Sequence, residues 1–218
     1  MTSQRVRPLP VMKKAAAWRR RRQRGYGGIV EGFRQVLPER IESDGVLLRR
    51  WVVDDAEALS RAIAESQDHL RPWMDWMAHE PKTLEQRRTM LVEREREWRN
   101  GGDVVLGIFV DDQVAGGCGL HRELGTSGLE MGYWVHASRV GQGLATAVAR
   151  LLTDAAFSVP GITHVEIHTD KANAASSAIA RRLGFRFLGE SDKPTAPVTG
   201  IDCAWRMDRA AWLRRVPR

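Results

Sequence analysis

Residues 130–145, EMGYWVHASRVGQGLA, put a carboxylate, two aromatic rings and a glycine pair within reach of one another. An apolar run over residues 129–135 reads as a strand. A short polar turn and then Gly141 and Gly143 follow, and an Ala-rich helical pattern carries Leu144, Val148, Leu151, Leu152, Ala155 and Ala156. Strand, glycine turn and helix start together make an anion cradle. The first helical N–H groups lack internal partners, the helix dipole favours negative charge there, and glycine lets a phosphate approach the chain. The chemistry this predicts is the binding of a pyrophosphate-bearing ligand. Two common nucleotide motifs fail. A Walker loop needs Lys-Ser/Thr where Leu144 and Ala145 stand, and a Rossmann fingerprint needs a third glycine where Thr146 stands.

What Val140-Gly141-Gln142-Gly143-Leu144-Ala145 resembles is the acyl-CoA loop Q/R-x-x-G-x-G/A of the Gcn5-related N-acetyltransferases. It departs at the first position, where Val140 stands and Arg139 comes one residue early. Four further segments resemble the RimJ/RimL-type branch, which acetylates ribosomal proteins. They are Glu130-Met131-Gly132-Tyr133-Trp134, Asn173 to Ser176 with Leu183-Gly184-Phe185, Leu47 to Trp51, and His69 to Trp73. The resemblance covers roughly residues 39–208. It implies an α/β (α+β) fold: a mixed, mostly antiparallel sheet splayed between two parallel strands, with helices on both faces. Acetyl-CoA as co-substrate would sit in the splay, held by Trp134, Val135, Val140, Gly141, Gln142, Gly143, Leu144, Ala145 and Asn173.

Acetyl transfer to an amine needs a neutral nucleophile, a fixed donor for the developing oxyanion and a proton for the leaving thiolate. The resemblance points to main-chain N–H groups around Trp134 and Val135 for the oxyanion. Glu130 is the candidate for proton removal, through a water, and a strand carboxylate paired with a basic neighbour is the bland alternative. Many family members protonate the thiolate with a tyrosine at the position of Ala180, so here Ser176 is the candidate. Asn173 is read as a contact to the cofactor arm rather than as a helix cap. Trp73, Trp76 and His121 are candidate acceptor-side residues, although Trp and Met clusters are often core. His164 and His168 stand about 13 Å apart if their segment is a strand, too far to share a metal ion. No metal site is expected. Cys118 has no activating neighbour in sequence and is a poor nucleophile candidate.

The composition suits one domain with an appendage: 218 residues, 43% of them apolar and no apolar run of membrane-spanning length. Two cysteines cannot build a disulfide framework and read as buried thiols of a cytoplasmic protein. Residues 1–24 hold nine Lys/Arg and no acid, so the net charge of +7 becomes −2 without them. That block, within a segment 1–38 expected to be disordered, could contact RNA or the ribosome. It could also be a targeting segment, or the product of an early start with Met12 as an internal one. The domain itself is expected over residues 39–218, as a monomer or homodimer.

Its elements read as a strand over 46–53 and a helix capped by Asp54-Asp55. A second helix opens on the capping box Thr83/Gln86, and strands 104–110 and 113–120 flank an Asp111-Asp112 hairpin turn. The strand from Leu129 and the helix from Leu144 come next, then a strand over 163–169 and a helix over 173–183. Closing strands are expected at 185–189 and 203–208. The leading reading is an acetyl-CoA-dependent N-acetyltransferase acting on a protein N-terminus or a small-molecule amine. The alternative is a non-catalytic acyl-CoA-binding regulator tethered to RNA or ribosome by its basic tail.

Overall fold

The structure is a computed structural model that describes residues 39–193 and 196–215. The basic segment and its proposed RNA contact through residues 1–24 lie outside the described residues.

Eight strands make one sheet: β1 (Arg40–Ser43), β2 (Val46–Arg50), β3 (Val104–Val110), β4 (Gln113–His121), β5 (Gly128–Val135), β6 (His164–Asp170), β7 (Arg186–Asp192) and β8 (Ile201–Asp208). Their order is β1-β2-β3-β4-β5-β6-β8-β7. β5 and β6 run parallel, and every other neighbouring pair runs antiparallel. The β3–β4 turn has φ of 51° at Asp111 and 58° at Asp112. A two-residue hairpin turn needs this left-handed geometry, and Asp tolerates it better than most residues.

The helices are α1 (Ala56–Glu65), α2 (Gln67–Leu70), α3 (Leu84–Arg99), α4 (Leu144–Ser158), α5 (Ala174–Arg182) and α6 (Arg209–Leu213). The capping box forms as expected: Thr83 Oγ1 accepts from the Gln86 N–H, and Gln86 Oε1 accepts from the Thr83 N–H at 2.8 Å. The expected strand over 46–53 stops at Arg50. The Asp55 carboxylate takes two hydrogen bonds from Arg49, at 2.7 and 2.8 Å, and one from the Val52 N–H at 2.9 Å, which turns the chain into a 3-10 segment at Val53–Asp55. Asp55 holds the N-cap position of α1, yet its side chain makes no cap bond to that helix and reaches back to the Val52 N–H ahead of the 3-10 turn instead. β1 and α6 have no apolar periodicity and were not expected.

The core has one cluster on each face of the sheet. Leu129, Met131, Val165 and Ile167 pack beneath Val148 and Leu152 of α4. On the opposite face Trp51 and Phe109 meet Leu59 and Ile63 of α1 and Leu91 of α3. Helices therefore cover both faces, as the resemblance implies.

Where β5 meets β6 the pairing is short. It runs from Gly128↔His164 to Met131↔Ile167 and ends, while β5 continues to Val135 and β6 to Asp170. The sheet is splayed between its two parallel strands.

Candidate active site

Two left-handed residues shape the chain at the mouth of this gap, Gly141 at φ 79° and Gly143 at φ 80°. L side chains rarely adopt that conformation, so glycine is required at both positions. Gly143 is the N-cap of α4, and its carbonyl accepts from the N–H groups of Thr146 and Ala147 at 3.0 and 3.1 Å. Among the described residues, the N–H groups of Gly141 to Ala145 have no protein partner. The first turn of α4 contains no acidic residue that would compete for them. The cradle is built of main chain.

Its side chains hold the loop rather than line it. Gln142 Nε2 donates to the Ser138 carbonyl at 3.0 Å, and the Ala137 N–H donates to the buried Ser66 hydroxyl at 3.1 Å, which ties the loop to the end of α1. Val140 is half-exposed, and Arg139, the residue one place early, pairs with Asp111 at 3.7 Å.

Antiparallel strands turn alternate residues toward the same neighbour. The His136 N–H donates to the Ala115 carbonyl of the β4 strand at 2.8 Å, so Trp134 and Gly132 also turn to β4. Tyr133 and Val135 then face the gap. The expected oxyanion donors are thereby divided: the Val135 main chain faces the splay, whereas Trp134 approaches the site through its indole. That indole lies over Gly117, where an added Cβ would stand 2.5 Å from Nε1, and it meets Trp76 with ring centroids 6.2 Å apart. Trp73 joins neither core cluster.

On the α4/α5 face, the Tyr133 and Ser176 hydroxyls lie 3.0 Å apart. Burial pushes the Tyr133 phenol up, against the opposing hydrogen bond from Ser176. Ala180, the position that the resemblance matches to a family tyrosine, is fully buried. The phenol beside Ser176 belongs to Tyr133 of β5, a residue quoted within its motif and given no role there. The signal was there, because Tyr133 alternates with Glu130 and must face the other side of the sheet. Asn173 caps α5: its Oδ1 accepts from the Ser176 N–H at 3.0 Å. Asn173 therefore fills the capping role through the Ser176 main chain.

The opposite face carries the titratable groups. Glu130 stands directly across from His121 on β4 and from Glu166 on β6. His121 Nδ1 donates to Asp103 at 3.0 Å. Burial would pull His121 down, but the Asp103 hydrogen bond and charge, helped by Glu130, hold it above the ordinary histidine value. His168 lies between two carboxylates, with Nδ1 2.6 Å from Asp202 and Nε2 2.9 Å from Glu166, and Arg206 Nε donates to Glu166 at 2.7 Å. Burial opposes its charge as well, and Asp202, Glu130 and Glu166 outweigh burial and raise it. Cys118 is buried on the other face and burial pushes its thiol up, which leaves little thiolate for nucleophilic work. Among the described residues no group of three His, Cys, Asp or Glu is arranged to hold a metal ion, and no helix is long and apolar enough to cross a membrane.

Residues 46–186 match the family model of the acetyltransferase (GNAT) domain. The chain belongs to the GNAT family. It is an N-acetyltransferase with the acyl-CoA N-acyltransferase fold. YdaF of Bacillus subtilis (strain 168), which carries a provisional name as a ribosomal N-acetyltransferase, is 27% identical over 151 residues, 68% of this chain and 82% of YdaF. The RimJ structure from Mycobacterium smegmatis, in complex with a CoA disulfide, is 26% identical at a TM-score of 0.67, covering 79% of this GNAT chain and 84% of RimJ. RimL, a ribosomal L7/L12 alpha-N-protein acetyltransferase in complex with coenzyme A, shares the fold at a TM-score of 0.70 and 20% identity, covering 81% of this chain and 99% of RimL.

Proposed function

We propose that this GNAT domain transfers the acetyl group of acetyl-CoA directly to the α-amino group of a ribosomal protein, in a ternary complex formed in the cytoplasm. The observation that carries the reading is the gap past Met131 and Ile167, with unpartnered N–H groups at one end and a carboxylate face along one side. The names of RimL and YdaF support a ribosomal acceptor.

Acetyl-CoA supplies the thioester, the electrophile of the reaction. The donors from Gly141 to Ala145 suit its diphosphate, since each is a main-chain N–H at a helix start. The Val135 N–H suits the extended arm or the carbonyl oxygen. Glu130 attracts the acceptor as an ammonium, and proton removal takes place beside it. Asn173 caps the turn that carries Ser176, and the Ser176 hydroxyl, bonded to Tyr133, gives the leaving sulfur a proton that Tyr133 restores.

The test incubates the full chain with acetyl-CoA, peptides carrying the α-amino ends of ribosomal proteins, and a set of small primary amines. Mass spectrometry locates the acetyl group while free thiol is followed. Acetylation of the peptide α-amino group is expected. Turnover with small amines alone would overturn the ribosomal acceptor. Acetyl-CoA that binds but is never consumed would restore the regulator reading.

A further inference from the structure

The face of the sheet beside Glu130 has a floor without side chains. Gly117 and Gly119 of β4 and Gly132 of β5 share that face, in the register Gly117↔Trp134 and Gly119↔Gly132. Trp134 lies over Gly117, and the His121 ring leans over the other two. An added Cβ at Gly119 would stand 3.1 Å from His121 Nε2 and 2.8 Å from the Val104 carbonyl oxygen, and at Gly132 it would stand 3.6 Å from Nε2. Gly132 is the first residue of β5 past the end of its pairing with β6. The ring therefore points its Nε2 at the start of the gap.

The other ring nitrogen is committed. Asp103 is acceptor-only when ionised, so its 3.0 Å contact with Nδ1 requires the proton to sit there. In the neutral ring the lone pair is then on Nε2. Among the described residues Nε2 has no hydrogen-bond partner, and the side chain is 31% exposed.

We infer that His121 Nε2 is the base that takes the acceptor amine's proton, that Asp103 is its positioning residue, and that Glu130 holds the ammonium rather than accepting its proton. This assignment rests on the acetyl-transfer reading. An acceptor that enters as an ammonium sheds two protons in becoming an amide. One passes through His121 Nε2 to solvent. The C–N bond forms, the C–S bond breaks and Ser176 protonates the sulfur; the second proton leaves the nitrogen for solvent, and solvent returns one to the Tyr133/Ser176 pair, so one proton is released overall. The charged groups facing His121 are Asp103 ahead of β3, Glu130 on β5 and Arg94 on α3; both acids favour the imidazolium, and Arg94 opposes it. A base so raised lies nearer to an amine than an ordinary histidine does, which favours the transfer.

The experiment measures kcat and KM from about pH 5.5 to 9.5, spanning the ordinary histidine and α-amino values. It compares wild type, His121→Gln and Asp103→Asn, with acetyl-CoA and a short synthetic peptide bearing a free α-amino group. His121→Gln should lower kcat about 100-fold, leave the acetyl-CoA KM unchanged and abolish the acid limb of the kcat profile. Asp103→Asn should keep the limb and move its midpoint to lower pH, a shift that lost packing alone would not produce. Circular dichroism and acetyl-CoA titration check that each variant is folded. Wild-type kcat with an intact acid limb in His121→Gln would overturn the assignment. Wild type that consumes no acetyl-CoA with any amine would overturn the transfer reading itself, and this assignment with it, which is a different result.

Discussion

Two histidines stand on one face of the sheet beside the gap, His121 on β4 and His168 on β6, and both are held above the ordinary histidine value by neighbouring carboxylates. Their nitrogens differ. His168 has both ring nitrogens bonded, to Asp202 and Glu166, while His121 has Nδ1 bonded to Asp103 and Nε2 open over Gly132. A shifted pKa is thus shared by a group built to hold structure and a group built to move protons. The open lone pair separates them: one histidine closes a charge ladder, and the other keeps an atom for substrate.

The sharpest break of that comparison is to remove each ring in turn. His121→Ala should cost about 100-fold in kcat and under about 1 kcal/mol in stability, as for a partly exposed side chain outside the core. His168→Ala should do the reverse. It takes from the nearly buried Glu166 and Asp202 the cation they share, leaving Glu166 to Arg206 and Asp202 to Lys193 at 3.8 Å, and should lower urea stability by about 2 kcal/mol, with kcat of the folded protein within about threefold of wild type. Equal rate losses in the two variants would erase the distinction.

The stability half has a pH signature. Because the folded value of His168 is raised, its contribution is fully present below the unfolded value near about 6.5 and is lost as pH climbs through the folded value. Glu166 runs the other way. Burial pushes it up, but Arg206 and His168 hold it below the usual range, so its contribution disappears as pH falls below about 4.3. Urea midpoints of wild type and His168→Ala should therefore differ most between these limits and converge toward alkaline pH. A constant difference up to about pH 9 would contradict the charged-clamp reading.

Glu130→Gln should lower kcat about tenfold, the equivalent of one pKa unit of lost interaction, and leave acetyl-CoA affinity unchanged. It should also shift the acid limb to lower pH, because Glu130 helps to hold the proton on His121. Unchanged turnover would remove Glu130 from the site. The smallest effect is expected at the hydroxyl pair on the opposite face. Tyr133→Phe should lower kcat about threefold, because Ser176 keeps its own proton and is only slower to regain it. A loss as large as that of His121→Ala would make the phenol the direct acid.

Much of the fold was legible because its signals are local. Gly141 and Gly143 mark a turn that only left-handed residues close, the Thr83/Gln86 spacing marks a helix start, and Asp111-Asp112 marks a hairpin. Strand β1 and helix α6 were not legible, since Arg40–Ser43 and Arg209–Leu213 owe their shape to neighbours rather than to an apolar period of their own. The glycine turn and helix start from Gly141 to Ala145 were legible as a backbone feature. The chemistry of the two faces was not, because it depends on distant partners. Asp103 lies 18 positions before His121, and Ser176 lies 43 positions after Tyr133. Even the aim of the His121 ring depends on glycines of two strands, a relation that exists only once β4 and β5 are paired.

The central claim is that the main-chain donors from Gly141 to Ala145 grip a diphosphate while the gap takes the arm that ends in the thioester. Calorimetric titration of the full chain with acetyl-CoA and with acetyl-pantetheine, which lacks the diphosphate, tests it most directly. Two lost charge-assisted hydrogen bonds already amount to about 3 kcal/mol, so acetyl-pantetheine should bind at least about 100-fold more weakly. Equal affinities would contradict the cradle.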